Sequence, residues 1–255
     1  MAGKLTAPKI IARKGGEKLR MITAYDFPSA RIADRAGADI ILVGDSVANV
    51  VLGRDDMLAM TVDEMVYHTA AVTAADPAAL VVGDMPWLSY HTSADDAVRN
   101  AGRLVREGGA GAVKLEGGRK RVPMIRAVLD AEIPVMGHLG LTPQSVHAMG
   151  GYRVQGKTAA MANELVSDAV AIAEAGAFAI VLEGVPDVLA EVITKEIPIP
   201  TIGIGAGADT DGQVLVFHDV LGLHDGHIAK FVRQYALLAD DAVAAVEAFF
   251  ADVQS

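Results

Sequence analysis

RAGADIILVGD (35–45), EGGAGAVKLEG (107–117) and EAGAFAIVLEG (174–184) repeat one plan: the end of a helix, a glycine turn, an apolar strand and an acid. Copies spaced by about 70 residues read as recurring βα units. Between them stand LVVGDMP (80–86), PVMGHLG (134–140) and PTIGIGAG (200–207), apolar runs without polar alternation. Parallel strands covered on both faces read in this way. MITAYD (21–26) and QVLVFHD (213–219) extend the series at its two ends, giving eight candidate strands.

The segments between carry helix signals. Thr61 with Glu64 and Ser93 with Asp96 each read as a capping box, and Met161, Leu165, Ala169 and Ile172 fall at helical spacing after Thr158. Strand and helix alternate eight times with no break in composition. The expected fold is therefore an α/β (β/α)8 TIM barrel, formed as a single domain over residues 1–255. Residues 5–14 predict an extra N-terminal helix and residues 240–252 a further one at the end, each suited to covering the barrel's lower end or a neighbouring subunit. An open doubly wound sheet is the alternative, but it needs a reversal of strand order and usually has fewer strands of this kind.

Composition excludes several function classes. With 22 Lys+Arg against 32 Asp+Glu the formal charge is −10, which argues against nucleic acid or an anionic membrane as partner. There is no cysteine, so disulfides, thiolate nucleophiles, thiol-bound zinc and iron–sulfur clusters are excluded together. The opening MAGKLTAPKIIARKGGEKL lacks the apolar core of a secretory signal, and no stretch is long enough to span a bilayer. A cytoplasmic protein is the expectation.

In a barrel the chemistry sits where strands end. Six consecutive strands here end in functional groups: Tyr25 and Asp26, Asp45 and Ser46, Asp84, Lys114 and Glu116, His138, and Glu183. Acids in such places often cap the next helix. Asp45 and Asp84 resist that reading, because each follows Val-Gly directly and the helices beyond them have caps at Thr61 and Ser93. Carboxylates converging on a barrel mouth repel one another unless a cation neutralises them, and oxygen ligation points to Mg²⁺, with Mn²⁺ or Co²⁺ able to fit the same ligands. Asp45, Asp84 and Glu116 are the candidate metal ligands. Lys114 shares a strand face with Glu116, which favours a charged ammonium offered to a substrate carboxylate over a Schiff-base amine. His138 is as readily a buried, satisfied histidine as a catalytic one. Glycines in GIGAG (203–207) permit an anion to approach but serve equally for a tight turn, and the run lacks the residues of a nucleotide P-loop.

Longer segments carry a more specific signal. ILVGDSVANVVLGRDDMLAMTVDEMVYHTAAV, KLEGG, HLGLTPQSVHAMGGYRVQGK, IVLEGVP and GIGAGADTDGQVLVFHDVLGL together resemble the ketopantoate hydroxymethyltransferases over nearly the whole chain. The resemblance implies transfer of a one-carbon unit from 5,10-methylenetetrahydrofolate to the ketoacid 2-oxoisovalerate (3-methyl-2-oxobutanoate), giving 2-dehydropantoate in pantothenate and coenzyme A biosynthesis. It implies one Mg²⁺ per subunit, a Mg²⁺-bound enolate, and a homo-oligomer, often a decamer. By the same resemblance Asp45, Ser46, Asp84 and Lys114 bind the ketoacid, Asp45 and Asp84 bind the metal with Glu116 there directly or through water, and Glu183 is the catalytic base, its basicity raised by an apolar setting. Two departures stand out: Val-Ala-Asn follows Ser46 where the family usually has Leu-Gly-Met, and Thr210 stands where a cysteine is frequent. Neither touches an assigned position.

Three rivals remain on sequence grounds: a Schiff-base aldolase using Lys114, a lyase or mutase of the phosphoenolpyruvate/isocitrate-lyase type, and a non-catalytic ketoacid-binding barrel. The second would be expected to carry a catalytic cysteine or an equivalent loop, and the chain has no cysteine.

Overall fold

The computed structural model describes residues 3–223, 226 and 228–255. Among these, eight parallel strands pair in sequence order: β1 (Leu19–Thr23), β2 (Ile40–Val43), β3 (Leu80–Asp84), β4 (Ala112–Glu116), β5 (Val135–Gly140), β6 (Ala179–Glu183), β7 (Thr201–Ile204) and β8 (Gly212–Leu215). Strand β8 returns to pair with β1, closing a (β/α)8 barrel. The helices are α1 (Ala7–Ile11), α2 (Phe27–Arg35), α3 (Val47–Val50), α4 (Val62–Thr73), α5 (Ala94–Arg106), α6 (Val122–Asp130), α7 (Val146–Met149), α8 (Ala159–Glu174), α9 (Asp187–Glu196), α10 (Phe217–Leu221) and α11 (Leu238–Gln254). No described helix is long and apolar enough to cross a membrane.

Strand side chains alternate between two apolar layers, as a period of two requires. Ile40, Leu42, Leu80, Val82, Ala112, Met136, Ala179, Val181 and Ile202 fill the barrel interior. Ile41, Val43, Val81, Val113, Leu115, Ile180 and Leu182 face the helices. Helix α1 lies against the interior layer through Ala7 and Ile10, so it plugs the lower end, one of the two places expected for it. Two acids lock it there. Asp211 accepts from Lys14 Nζ at 2.8 Å and Gly15 N at 2.9 Å, while Asp39 pairs with Arg13 and Arg20 at 3.1 Å each.

Several local expectations are refined. The Thr61–Glu64 capping box forms in both directions, but at Ser93 only half of one forms: Ser93 accepts from Asp96 N, and the Asp96 carboxylate turns to Thr92 and Arg99. Asp26 is an N-cap, its carboxylate accepting from Ser29 N at 2.8 Å, and so belongs to the framework of α2. Strand β8 ends at Leu215, and Phe217 already opens α10.

Alternation lapses once: residues 205–211 join β7 to β8 without a helix. Gly205 and Gly207 there adopt positive φ, with Phe231 and Asp187 packed where a Cβ would stand, so the GIGAG glycines serve a tight turn. The outer faces of β8 and β1 are correspondingly bare, with Arg20 and Gln213 exposed and Ile22 and Leu215 only half-buried. Helix α11 does not cover them. None of its residues is buried, and Val246, Phe249, Phe250 and Val253 are all exposed.

Candidate active site

The inward-facing series changes character at the C-terminal ends of the strands. In β3 it runs Leu80, Val82, Asp84; in β4 Ala112, Lys114, Glu116; in β5 Met136, His138; in β6 Ala179, Val181, Glu183. Alternation alone therefore carries these groups to one mouth, and register sets Asp84 beside Lys114 and Glu116 beside His138. Asp45 and Ser46 join them from the turn after β2. Asp45, Asp84, Lys114, Glu116 and His138 are buried, while Glu183 retains 18% side-chain exposure at the rim.

Acidic and basic groups meet around the mouth. Lys114 Nζ stands 2.9 Å from Asp84 Oδ1 and 3.8 Å from Glu116 Oε1. His138 Nδ1 is 3.1 Å from Glu116 Oε1, and its Nε2 is 3.2 Å from Glu183 Oε2, close enough to pair though off the line of a hydrogen bond. Burial alone would lower the Lys114 pKa, but Asp84, Glu116 and Asp45 outweigh it and hold the ammonium charged. His138 behaves alike: burial and Lys114 oppose its charge, yet Glu116 and Glu183 raise it to about 9. The ring bridges two acids, with Lys114 Nζ also 3.3 Å from its Nδ1, a larger part than the sequence accorded it.

Two carboxylates are less well served. Burial, then Asp84 and Glu116, push Asp45 well above the usual carboxylate range. Burial raises Asp84 as well, and Glu116 adds to it, against the pull of Lys114. Asp84 Oδ1 meets only the Lys114 ammonium, 2.9 Å away and off the line of a hydrogen bond, and Asp84 Oδ2 receives only Asp45 N, at 3.3 Å. Glu116 is the opposite case. His138 and Lys114 lower it despite burial, and Gln144 N donates to its Oε2 at 3.1 Å. Among the described residues no three carboxylates or imidazoles converge as a ready-made metal cage. A buried, underserved acid pair nevertheless fits a hard cation, whereas Glu116 is already engaged.

Ser46 completes the mouth, its Oγ 2.8 Å from the buried Tyr25 hydroxyl. Ala48, at the first family departure, is fully buried in the short helix α3. Thr210, at the second, donates to Gly212 O at 2.7 Å and belongs to the β7–β8 turn.

Comparison with known proteins decides which barrel this is. The family model described as ketopantoate hydroxymethyltransferase matches residues 4–255. The chain belongs to that family. It is 58% identical over 252 residues to the 3-methyl-2-oxobutanoate hydroxymethyltransferase of Moorella thermoacetica, covering 98% of this chain and 94% of that one. To the same-named protein of Geobacter sulfurreducens it is 60% identical over 232 residues, covering 90% and 87%. Solved structures share the fold more distantly. A 2,3-dimethylmalate lyase of the PEP mutase/isocitrate lyase superfamily has a TM-score of 0.64 at 18% identity, covering 98% and 89%, and an oxaloacetate acetylhydrolase 0.63 at 14%, covering 98% and 86%.

As a ketopantoate hydroxymethyltransferase the protein is a transferase enzyme, and the polar mouth of its barrel is the candidate active site. Two residues there escaped the sequence reading. Gln144, in the turn after β5, and Tyr90, after β3, are neutral, buried and hydrogen-bonded to the charged set. The segment GLTPQSV, which helps to mark the family, contains Gln144, but nothing in its spelling reveals that the amide meets Asp45. In this hydroxymethyltransferase, too, the setting of Glu183 is the imidazole of His138 rather than the expected apolar pocket.

Proposed function

We propose that the enzyme transfers a hydroxymethyl group from 5,10-methylenetetrahydrofolate to 3-methyl-2-oxobutanoate, forming 2-dehydropantoate in pantothenate biosynthesis, with Mg²⁺ held by Asp45 and Asp84. The observation that carries this reading is the buried pair Asp45 and Asp84, underserved and flanked by a cationic Lys114, facing Glu183 across the barrel mouth. Bound there, Mg²⁺ would draw electron density from the ketoacid's 2-oxo and carboxylate oxygens and so make its C3 proton easier to remove.

The chain's own groups account for the rest. Lys114, fixed by Asp84 and Glu116, supplies a positive charge for the ketoacid carboxylate. Ser46 can donate to that carboxylate while accepting from Tyr25. Glu183 takes the C3 proton onto a carboxylate oxygen, and the enolate carbon attacks the methylene carbon of the folate. That forms one C–C bond and breaks the methylene's two bonds to nitrogen; one water supplies the new hydroxyl, and its other proton and the C3 proton held by Glu183 pass to the two folate nitrogens. His138, 3.1 Å from Glu116 and 3.2 Å from Glu183, holds the base in place. Glu116 acts on the metal through water or by fixing Lys114 and His138. A Schiff-base role for Lys114 would need a neutral amine, which its two carboxylate neighbours oppose.

Helix α11, with an apolar face and nothing buried, supports assembly of this chain with further copies of itself. The family resemblance suggests a homodecamer, and a cytoplasmic setting suits the pathway.

Deuterium exchange at C3 of 3-methyl-2-oxobutanoate, with Mg²⁺ and without folate, tests the chemistry. Exchange is expected from the wild-type enzyme and loss of at least about a hundredfold in rate from Glu183→Gln, within the range general-base catalysis supplies. Absence of exchange in the wild-type enzyme would sink the enolate route, and undiminished exchange in the variant would remove Glu183 as base.

A further inference from the structure

The charged mouth is held together by two neutral residues. Gln144 Nε2 donates to Asp45 Oδ2 at 2.8 Å and to Met85 O at 2.9 Å, and Gln144 Oε1 accepts from the Tyr90 hydroxyl at 2.6 Å. Tyr90 in turn accepts from Glu116 N at 3.1 Å, and Gln144's own backbone N donates to Glu116 Oε2 at 3.1 Å. The direction of each bond is fixed. A carboxylate and a carbonyl can only accept, so the amide nitrogen must face them, which leaves Oε1 for the tyrosine proton. The circuit links the turn after β2, the ends of β3 and β4 and the turn after β5, and both Gln144 and Tyr90 are buried. It engages one oxygen each of Asp45 and Glu116.

We infer that Gln144, held by Tyr90, is a positioning residue that orients the Asp45 carboxylate for the divalent cation and keeps Glu116 turned toward His138. The inference rests on the reading of Asp45 and Asp84 as the ligands of that cation. Without the amide, Asp45 has no partner to set the plane of its carboxylate and, buried beside Asp84, swings away from it. A residue that merely pinned the turn to the barrel would affect unfolding and leave the cation affinity of the folded protein alone.

Mn²⁺ binding to the metal-stripped full chain, read by electron paramagnetic resonance, separates these roles. Gln144→Met keeps the backbone bond to Glu116 and removes only the amide. It is expected to bind Mn²⁺ roughly 10–100-fold more weakly, the range for losing a partner of a metal ligand. Tyr90→Phe should weaken binding in the same sense by up to about tenfold, the reach of one neutral hydrogen bond. The double variant should match Gln144→Met within about twofold, because Tyr90 acts through Gln144. A folded Gln144→Met protein with Mn²⁺ affinity within about twofold of wild type would overturn the inference, as would full additivity in the double variant. If Gln144→Met does not fold, Tyr90→Phe decides, and unchanged Mn²⁺ affinity in it has the same force. Failure of the wild-type chain itself to bind Mn²⁺ would instead overturn the ligand assignment on which the inference stands.

Discussion

At the scale of single residues, the site trades stability for function. A buried carboxylate whose pKa is raised on folding costs stability, and the cost grows as pH rises above its unfolded value near 4. Asp45 is such a group. Without metal, Asp45→Asn is therefore expected to melt higher than wild type at pH 7, by an amount that shrinks as pH falls toward 4. Adding Mg²⁺ should raise the wild-type midpoint and leave that of the variant unmoved. Thermal unfolding with and without Mg²⁺ at two pH values checks both signs. Lys114 runs the other way, since removing it leaves Asp84 and Glu116 facing each other uncompensated. Lys114→Met should cost about 3–5 kcal/mol in urea unfolding, the usual penalty for breaking a buried pair on one side.

Among the elements, α1 has a hold on the barrel that acid weakens. Hydrogen bonds from Lys14, Thr201 N and Gly15 N lower the Asp211 pKa although burial raises it, and Arg20 and Arg13 do the same for Asp39. Folded values below the unfolded ones mean that the stabilisation is complete above about pH 4 and is lost as pH falls further. Asp211→Asn is expected to cost about 1–3 kcal/mol at pH 7 by leaving buried donors unpaired, and to flatten the acid limb of a stability–pH curve. Strands β2 to β6 were legible in the sequence because each is a largely apolar run with a polar residue at or just past its end. The precise ends of β1 and β8 were not: Asp26 and Phe217 extend the pattern of a strand but open helices, and only the chain's turn reveals it. Gln144 and Tyr90 were illegible for a different reason. Their partners lie 99 and 54 residues away, at Asp45 and at Gln144 itself, and a neutral side chain carries no sign of such a meeting. His138 was undervalued because Glu116 and Glu183 reach it from the strands on either side, which becomes visible only once register is fixed.

For the whole molecule, the open question of sequence patterning is what α11 meets. The helix was legible at 240–252, but a helical pattern does not state which chain supplies the surface that covers its apolar residues. Together with the bare outer faces of β8 and β1, it leads to an expected assembly of identical copies. Light scattering of the full chain should give a mass several times that of one chain, and removal of residues 238–255 should reduce it; an unchanged mass would dissociate α11 from assembly. The closing of β8 onto β1 has a consequence in time. Leu19 pairs with Gly212, so at roughly 5–20 residues per second of synthesis the first strand leaves the ribosome about 10–40 s before its last neighbour exists. Through that interval β1 has one edge unsatisfied, a row of unpaired backbone groups open to wrong partners until β8 arrives.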